Sequence, residues 1–224
     1  MKLYSYCLRF DDGAAPNPYW GICTLAICKP TIRRKAEVGD WVVGLGSKNS
    51  PIGDISDRVV YAMKVTKVLS MKEYDKFCRR SLQTKIPDWT SSDFRRKIGD
   101  SIYDFDSEDE PLVRRSIHTE ANRRKDLSGR NVLVSKHFYY FGDRPEPLPE
   151  GLLPLIHPTQ GHKSRANDRY RREFIRWLVD TGWKKNKLIG QPQLKDHIMS
   201  ITEEKCRSSC SKQDREDDER VRTC

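Results

Sequence analysis

The sequence lacks the features of membrane-spanning and exported proteins. It has no uninterrupted apolar run of about 18 residues, the length that a bilayer crossing needs, and no apolar secretory segment follows Met1 and Lys2. Its seven cysteines are an odd number, and the first four fall within apolar segments of a chain that is not short. We therefore expect a reduced, cytoplasmic protein that does not contact a membrane.

Motifs of the common hydrolytic and nucleotide-dependent enzymes are also missing. The sequence contains no Gly-x-Ser-x-Gly, no Gly-x-x-x-x-Gly-Lys and no Gly-x-Gly-x-x-Gly. Paired Cys-x-x-Cys motifs are absent, and Cys23 and Cys28 would face opposite sides of a regular strand. We expect these thiols to be small buried groups, and we expect no metal and no cofactor.

Positive charge is what the chain has in excess. Lysine and arginine number 42 against 32 aspartates and glutamates, which gives a formal net charge of +10. A surface of this kind suits a phosphate-bearing partner, and solubility alone is the alternative. Residues 203–224 are rich in charges of both signs and almost without β-branched or aromatic residues. Their composition predicts a disordered charged tail.

Hydrophobic patterning predicts strands in the first third of the chain and helices after them. An alternating pattern predicts a half-buried strand over residues 2–10. Apolar runs predict further strands over 22–28, 41–44 and 58–69. Ser70 and Glu73 have the spacing of a capping box, so a helix should begin there. An apolar stripe at helical spacing predicts a second helix through Tyr170, Phe174, Trp177 and Leu178.

These elements predict an α+β fold, in which helices pack on a small, curved, mostly antiparallel β-sheet or barrel. We expect residues 1–202 to form a single domain. Within it, residues 84–125 break into short, polar and strongly charged pieces. This segment is predicted to be an irregular insertion and is a candidate lid, because long loops inside a domain are usually functional or disordered.

Residues 15–44 carry the clearest pattern in the chain. A Pro-Asn-Pro turn, a short apolar run, a basic cluster and a second apolar run follow one another. Two strands beside an aromatic loop and several cations could enclose a nucleotide or a nucleic-acid base, since rings stack on bases and cations bind phosphates. The candidates for base binding are Asn17, Trp20, Trp41 and Tyr103. The candidates for phosphate binding are Lys29, Arg33, Lys163 and Arg165. Core packing for Trp41 and a solvated surface for the arginines are the structural alternatives.

Two histidines are candidates for a general acid or base. His118 and His162 both lie in polar surroundings, and a histidine that is only exposed or hydrogen-bonded is the alternative for each. An enzyme that modifies or hydrolyses a nucleotide would need one of them within hydrogen-bond reach of a second polar group in a pocket. Without a catalytic motif, we favour a binding module over an enzyme.

Dispersed blocks of the sequence resemble the second family of nucleotide-modification-associated domains. The resemblance extends over roughly residues 1–180, and its blocks lie at 2–6, 15–18, 23–26, 28–30, 32–33, 39–41, 60–66, 99–103, 138–142 and 161–163. The chain departs from the family pattern at Ser101, where an asparagine is expected. It also departs at residues 112–115, which precede His118 and where a tryptophan and a glutamine are expected.

The resemblance implies a bacterial or phage protein that is associated with modified DNA bases and with phage or anti-phage systems. The strand order of residues 39–43 and 59–68 is also similar to that of PUA-like barrels that read modified bases. The implied function is a module that binds a nucleic acid or nucleotide and recognises a modified base. A protein of a modification or defence system is a further candidate partner.

Overall fold

The computed structural model describes residues 1–106, 110–157 and 161–200, so the predicted tail at 203–224 lies outside the described residues. The strands are β1 (Leu3–Cys7), β2 (Cys23–Leu25), β3 (Trp41–Leu45), β4 (Arg58–Lys64), β5 (Lys67–Ser70), β6 (Tyr103–Asp104), β7 (Leu112–Val113), β8 (Asn131–Ser135), β9 (Phe138–Tyr140), β10 (Glu146–Pro147), β11 (His162–Lys163) and β12 (Lys187–Leu188). The helices are α1 (Pro30–Lys35), α2 (Met71–Ser81), α3 (Phe94–Lys97), α4 (Arg123–Ser128), α5 (Arg171–Asp180) and α6 (Lys195–Ser200). The fold is therefore α+β.

The strands form three separate sheets. The largest has the order β11-β1-β3-β4-β9-β12, with β10 also paired to β4. It is mixed, because β1 runs parallel to β3 and β12 runs parallel to β9, while its other pairs are antiparallel. A second sheet has the order β2-β8-β5, and β6 pairs with β7. Over the described residues the sheets stay open, so of the two predicted forms, a sheet or a barrel, the barrel is wrong.

The run 58–69, predicted as one strand, divides between two sheets. Val65 donates its backbone N–H to Asp40, beside β3 of the large sheet, and Thr66 donates to Val134 of β8 in the second sheet. β4 therefore ends at Lys64, and β5 begins in a different sheet. Because β4 and β5 belong to different sheets, the strands do not continue around into a closed barrel.

The first strand is buried on both faces rather than half-buried. Tyr4 and Tyr6 pack in one apolar cluster, which reaches across to the second sheet. Leu3 packs in another, which includes Phe174 and Leu178 of α5. The large sheet thus lies between two cores, because α5 covers the face that would otherwise meet solvent.

The two main helices confirm their sequence patterns. The Ser70 Oγ accepts a hydrogen bond from the Glu73 N–H at 3.2 Å, and the Glu73 carboxylate accepts one from the Ser70 N–H at 2.7 Å. This capping box starts α2. In α5, Phe174 and Leu178 are completely buried, as the apolar stripe predicts.

Residues 84–125 contribute buried side chains to the core, and the assignment of this segment as a lid stays a prediction. Apart from 107–109, which are outside the described residues, the segment folds into short helical and strand pieces. Its buried apolar side chains pack with those of α2 in one cluster and are Trp89, Phe94, Ile98, Ile102, Tyr103 and Ile117. The segment therefore supplies a wall of the molecule, and it also carries His118.

A sharp turn separates β2 from α1. Cys28 and Lys29 both adopt left-handed backbone conformations, with φ of 58° and 39°. Pro30 then opens α1, since its fixed φ suits the first turn of a helix. The predicted strand over 22–28 is consequently limited to Cys23–Leu25. This strand-to-helix turn positions the candidate site.

Candidate active site

The thiol of Cys28 lies at the turn between β2 and α1, partly exposed. The backbone around it is held from two sides. Cys28 donates its N–H to the Asp126 carboxylate at 2.9 Å, and its carbonyl accepts from Arg33 Nε at 2.7 Å. A left-handed conformation at a residue other than glycine costs free energy and persists only where the surroundings impose it. The turn therefore presents this thiol in a fixed position.

His118 lies between that thiol and a buried carboxylate. Its Nε2 is 3.7 Å from Cys28 Sγ, and its Nδ1 is 2.6 Å from Asp126 Oδ2. The residue is only 9% exposed, and its carbonyl accepts from the Ser116 hydroxyl at 2.9 Å. The two ring nitrogens thus contact two different partners, which fixes the orientation of the ring.

Asp126, on α4, is the residue on which the site converges. Its carboxylate accepts hydrogen bonds from the Cys28 N–H, the His118 ring and the Tyr103 hydroxyl, the last at 2.9 Å. Burial alone would raise the pKa of Asp126, but the charges of His118 and Arg33 and these hydrogen bonds outweigh it and lower the pKa. The carboxylate is therefore ionised at neutral pH.

The same pairing acts in the opposite direction on His118. Burial would lower its pKa, but the charge of Asp126 outweighs that effect and raises the pKa well above the ordinary histidine value. The direction of this shift favours the protonated, imidazolium form of the ring. An imidazolium beside a thiol stabilises the thiolate, which is the nucleophilic form of cysteine.

The order of these groups is that of a nucleophile, a general base and the residue that orients the base. It does not suit a metal ion, because Cys28 and Asp126 contact opposite nitrogens of the His118 ring and cannot share one ion with it. Within the part of the chain that the structure describes, no group of three or more potential ligands is arranged to hold a metal.

Three of the residues singled out from the sequence meet at Asp126. His118 and Tyr103 bind its carboxylate, and Arg33 donates to its backbone carbonyl. Arg33 is completely buried and also donates to the carbonyls of Cys28 and Asn131. Its guanidinium therefore faces the protein and braces α1 against α4, a position that does not present it to a phosphate.

Asn17 belongs to a different buried network. Its side-chain oxygen accepts from Lys85 Nζ at 2.6 Å, and its side-chain nitrogen donates to the Ile98 carbonyl at 2.8 Å. Lys85 also donates to Thr24 at 2.9 Å, and Thr24 donates to Asp100. Asn17 is completely buried, and both ends of its amide are occupied by the protein.

The predicted stacking rings divide between two apolar clusters, with Trp20 and Tyr103 in one and Trp41 in the other. Trp41 is 3% exposed and packs in the core against Phe174. Its position is therefore that of the alternative to base stacking, namely core packing. Tyr103 is buried at Asp126. Trp20 is partly exposed, and the guanidinium of Arg95 lies 4.6 Å from the centre of its ring.

The remaining predicted residues lie nearer the surface. Lys29 follows the thiol directly, and its Nζ is 4.7 Å from the centre of the Tyr6 ring. Lys163 donates to the carbonyls of residues 154 and 156, and Arg165 is exposed. His162 is on β11, with its ring centre 6.2 Å from that of Tyr4.

The sequence prediction did not assign functional roles to Cys28 and Asp126. A cysteine two residues before Pro30, between an apolar run and a helical segment, is a usable indication of a strand-to-helix turn. Asp126 gives no such indication, because it is separated from Cys28 by 98 residues and lies in a charged stretch. Only the fold brings them together.

The fold and this site define an α+β protein with a cysteine, a histidine and an aspartate in sequential contact beside a strand-to-helix turn. The family model for nucleotide modification associated domain 2 matches residues 1–200, and the chain belongs to that family. No curated protein and no solved structure matches the chain. Family membership associates the protein with nucleotide or DNA modification. In the described ranges, no helix combines the length and apolar character that crossing a bilayer requires.

Proposed function

We propose that this chain is an enzyme of nucleotide or DNA modification, with Cys28 as the nucleophile and His118 as the general acid and base. The observation that supports it is the contact sequence from Cys28 Sγ through both nitrogens of His118 to Asp126, at 3.7 and 2.6 Å. This arrangement develops the histidine-based alternative rather than the binding module that the sequence favours.

The reaction that suits these groups is acyl transfer from an amide or ester carried by a nucleotide or a modified base. The Cys28 thiolate attacks the carbonyl carbon, and a C–S bond forms. The C–N or C–O bond then breaks, and the leaving group takes the proton from His118 Nε2. Water gives a proton to His118 and attacks the thioester, which breaks the C–S bond and restores the thiolate. Asp126 keeps the ring oriented throughout.

The surroundings of the thiol also bear on the substrate. Lys29 adjoins Cys28 and is partly exposed, so we assign it the phosphate of a nucleotide substrate. Phosphate binding by Lys163 and Arg165 is a further proposal, because both are polar groups near the surface.

A generic acyl probe tests the proposal. With p-nitrophenyl acetate, the wild-type protein should release a burst of p-nitrophenolate and acquire an acetyl group on Cys28, detected by peptide mass spectrometry. Cys28→Ser should abolish this burst, and His118→Asn should slow it by about 10²–10⁴-fold, the usual contribution of a general acid or base. Cys7→Ser, which removes another partly exposed thiol, should leave it unchanged.

Two results would count against the proposal. A burst of equal size in Cys28→Ser would show that another group reacts. Nucleotides and modified nucleosides should slow the acetylation of Cys28. If they did not, even at millimolar concentration, the substrate would not be a nucleotide.

Recognition of a modified base by a PUA-like module is the second candidate. The favouring observation is Trp20, a partly exposed ring with Arg95 over one face. Asn17 would have to leave Lys85 to read a base, which is why this function ranks second. Binding to plain and modified oligonucleotides at several salt concentrations tests it, and an absence of affinity at low salt would end it. A protein of a modification or defence system stays a proposed partner.

A further inference from the structure

A second feature of the molecule is a cleft formed by the loop after α5, by β12 and by Arg144, which we call the Trp183 cleft. It has a volume of about 620 Å³ and is lined by Arg144, Trp183, Lys184, Lys187, Leu188 and Ile189. Cavities of about 300–1,000 Å³ are typical of sites for small ligands. None of these residues takes part in the Cys28 site or is among those singled out from the sequence.

The charge of the cleft has one sign. Arg144, Lys184 and Lys187 are all exposed, and among the described residues none of the three forms an ion pair. Glu146 is the acidic group at the edge, where its carboxylate accepts from the Trp183 indole N–H at 3.1 Å. Three cations that line one concave surface, with a single carboxylate described at its edge, attract a polyanion.

Trp183 gives the cleft an aromatic surface in a defined orientation. The ring is 42% exposed, and Glu146 holds its N–H. The ring of Phe141 meets it edge-on, with centres 6.3 Å apart at 75°. A contact of this kind leaves part of the indole surface open for stacking.

The loop that carries these groups is fixed to the large sheet. Asn186 donates its backbone N–H to the Phe138 carbonyl at 2.7 Å and accepts from the Phe138 N–H through its side chain at 3.2 Å. Its left-handed backbone, with φ of 61°, closes the turn before β12. The lysines and the indole are therefore presented on a braced loop, which limits the entropy lost on binding.

We propose that the Trp183 cleft binds a single strand of nucleic acid, with one base stacked on the indole and phosphates at the three cations. A flat exposed ring next to unpaired cations is the combination that single-stranded nucleic acids recognise. The apolar side chains of Leu188 and Ile189 complete the surface for a base. An acidic peptide would use the cations but would gain little from the ring, and this difference separates the two partners experimentally.

Fluorescence anisotropy with a labelled single-stranded oligonucleotide tests the proposal on the full chain. Trp183→Ala should weaken binding by about 5- to 150-fold, the range for losing one base–ring stack, and Trp183→Phe should retain most of it. The triple variant Arg144→Glu, Lys184→Glu and Lys187→Glu should lower the slope of log affinity against log salt by about 2, since each phosphate contact on a single strand contributes about 0.7.

The matched control reverses three exposed cations of α2, Lys72, Lys76 and Arg80, which changes the net charge by the same amount. The control should bind like the wild type, and all variants should give wild-type circular dichroism melts. Equal loss of binding in the control would show a general charge effect and overturn the proposal. The proposal would also be overturned if poly-glutamate competed as well as the unlabelled oligonucleotide and if Trp183→Ala bound the oligonucleotide as tightly as the wild type. Cys28→Ser should bind normally, so this test is independent of the proposed reaction.

Discussion

Replacing Asp126 with asparagine separates its shape from its charge. Asparagine keeps one oxygen, which can still accept from the Cys28 N–H. Its NH₂ group would face His118 Nδ1 and the Tyr103 hydroxyl, so both lose a charged acceptor. Removing one partner of a buried ion pair leaves the other charge without compensation, which costs about 3–5 kcal/mol of stability. We therefore expect Asp126→Asn to lower the free energy of unfolding by about that amount, within the 5–15 kcal/mol typical of domains of about this size.

The loss should depend on pH. The raised pKa of His118 gives stability that is present below about pH 6.5 and is lost as the pH rises through its folded value. The lowered pKa of Asp126 gives stability that is present above about pH 4 and is lost as the pH falls through its folded value. The effect of Asp126→Asn should therefore be largest between about pH 4 and 6.5 and should decrease on either side.

Two assays check this prediction. Urea unfolding followed by circular dichroism measures the loss, with the exposed Asp57→Asn as a control expected to change stability by about 0.5 kcal/mol or less. Alkylation of Cys28 by iodoacetamide, read at peptide level beside Cys7, measures the thiolate. The wild-type rate should vary little between pH 6 and 8, whereas the variant's rate should rise about tenfold per pH unit toward about pH 8.5. Unchanged stability together with an unchanged pH profile would refute the assigned role of Asp126.

Three further predictions concern buried groups. Burial raises the pKa of Asp11 to about 7, although the Tyr140 hydroxyl donates to it, so protonated Asp11 stabilises the fold at low pH and this contribution is lost as the pH rises toward 7. Asp11→Asn should remove a pH dependence of up to about 1.4 kcal/mol per pH unit between about pH 4 and 7, and parallel urea titrations of the two proteins would contradict this. Lys85→Met should lower the free energy of unfolding by about 3–5 kcal/mol, measured by urea unfolding, because buried Asp100 loses its neighbouring cation and the acceptors around the ammonium lose their donor; a loss below about 1 kcal/mol would mean that these groups find new partners. Gly129→Ala should cost about 1–3 kcal/mol, measured as a lower Tm, because a Cβ there would lie 2.3 Å from the guanidinium of buried Arg33; an unchanged Tm would mean that this side chain moves freely.

Local patterns in the sequence predict those elements that depend on neighbouring residues. The capping box at Ser70 and the apolar stripe of α5 are determined within a few residues, and both are present. The break between β4 and β5 is different, because it depends on backbone partners at Asp40 and Val134 in two sheets. A continuous apolar run contains no information about such a change of partner.

The same distinction applies to the candidate site. His118 stands out in the sequence as an ionisable group in polar surroundings, but its role depends on residues 90 positions before it and 8 after it. Arg33 stands out in a basic cluster and Asn17 in a Pro-Asn-Pro turn, but the fold uses them to bind buried carbonyl groups and Lys85. Side-chain type alone does not distinguish a ligand-binding group from one that satisfies the interior.

Arg33 has a consequence for how the molecule can change. Its guanidinium ties the carbonyls of Cys28, Asp126 and Asn131 into one unit, with the Gly129 backbone against its face. The thiol and its partners therefore cannot separate by a small hinge motion without breaking the hydrogen bonds that the Arg33 guanidinium donates to these three carbonyls. A molecule that reaches the Cys28 thiol would have to fit this fixed geometry, and we expect a replacement of Arg33 to disturb the positions of Cys28 and Asp126 at the same time.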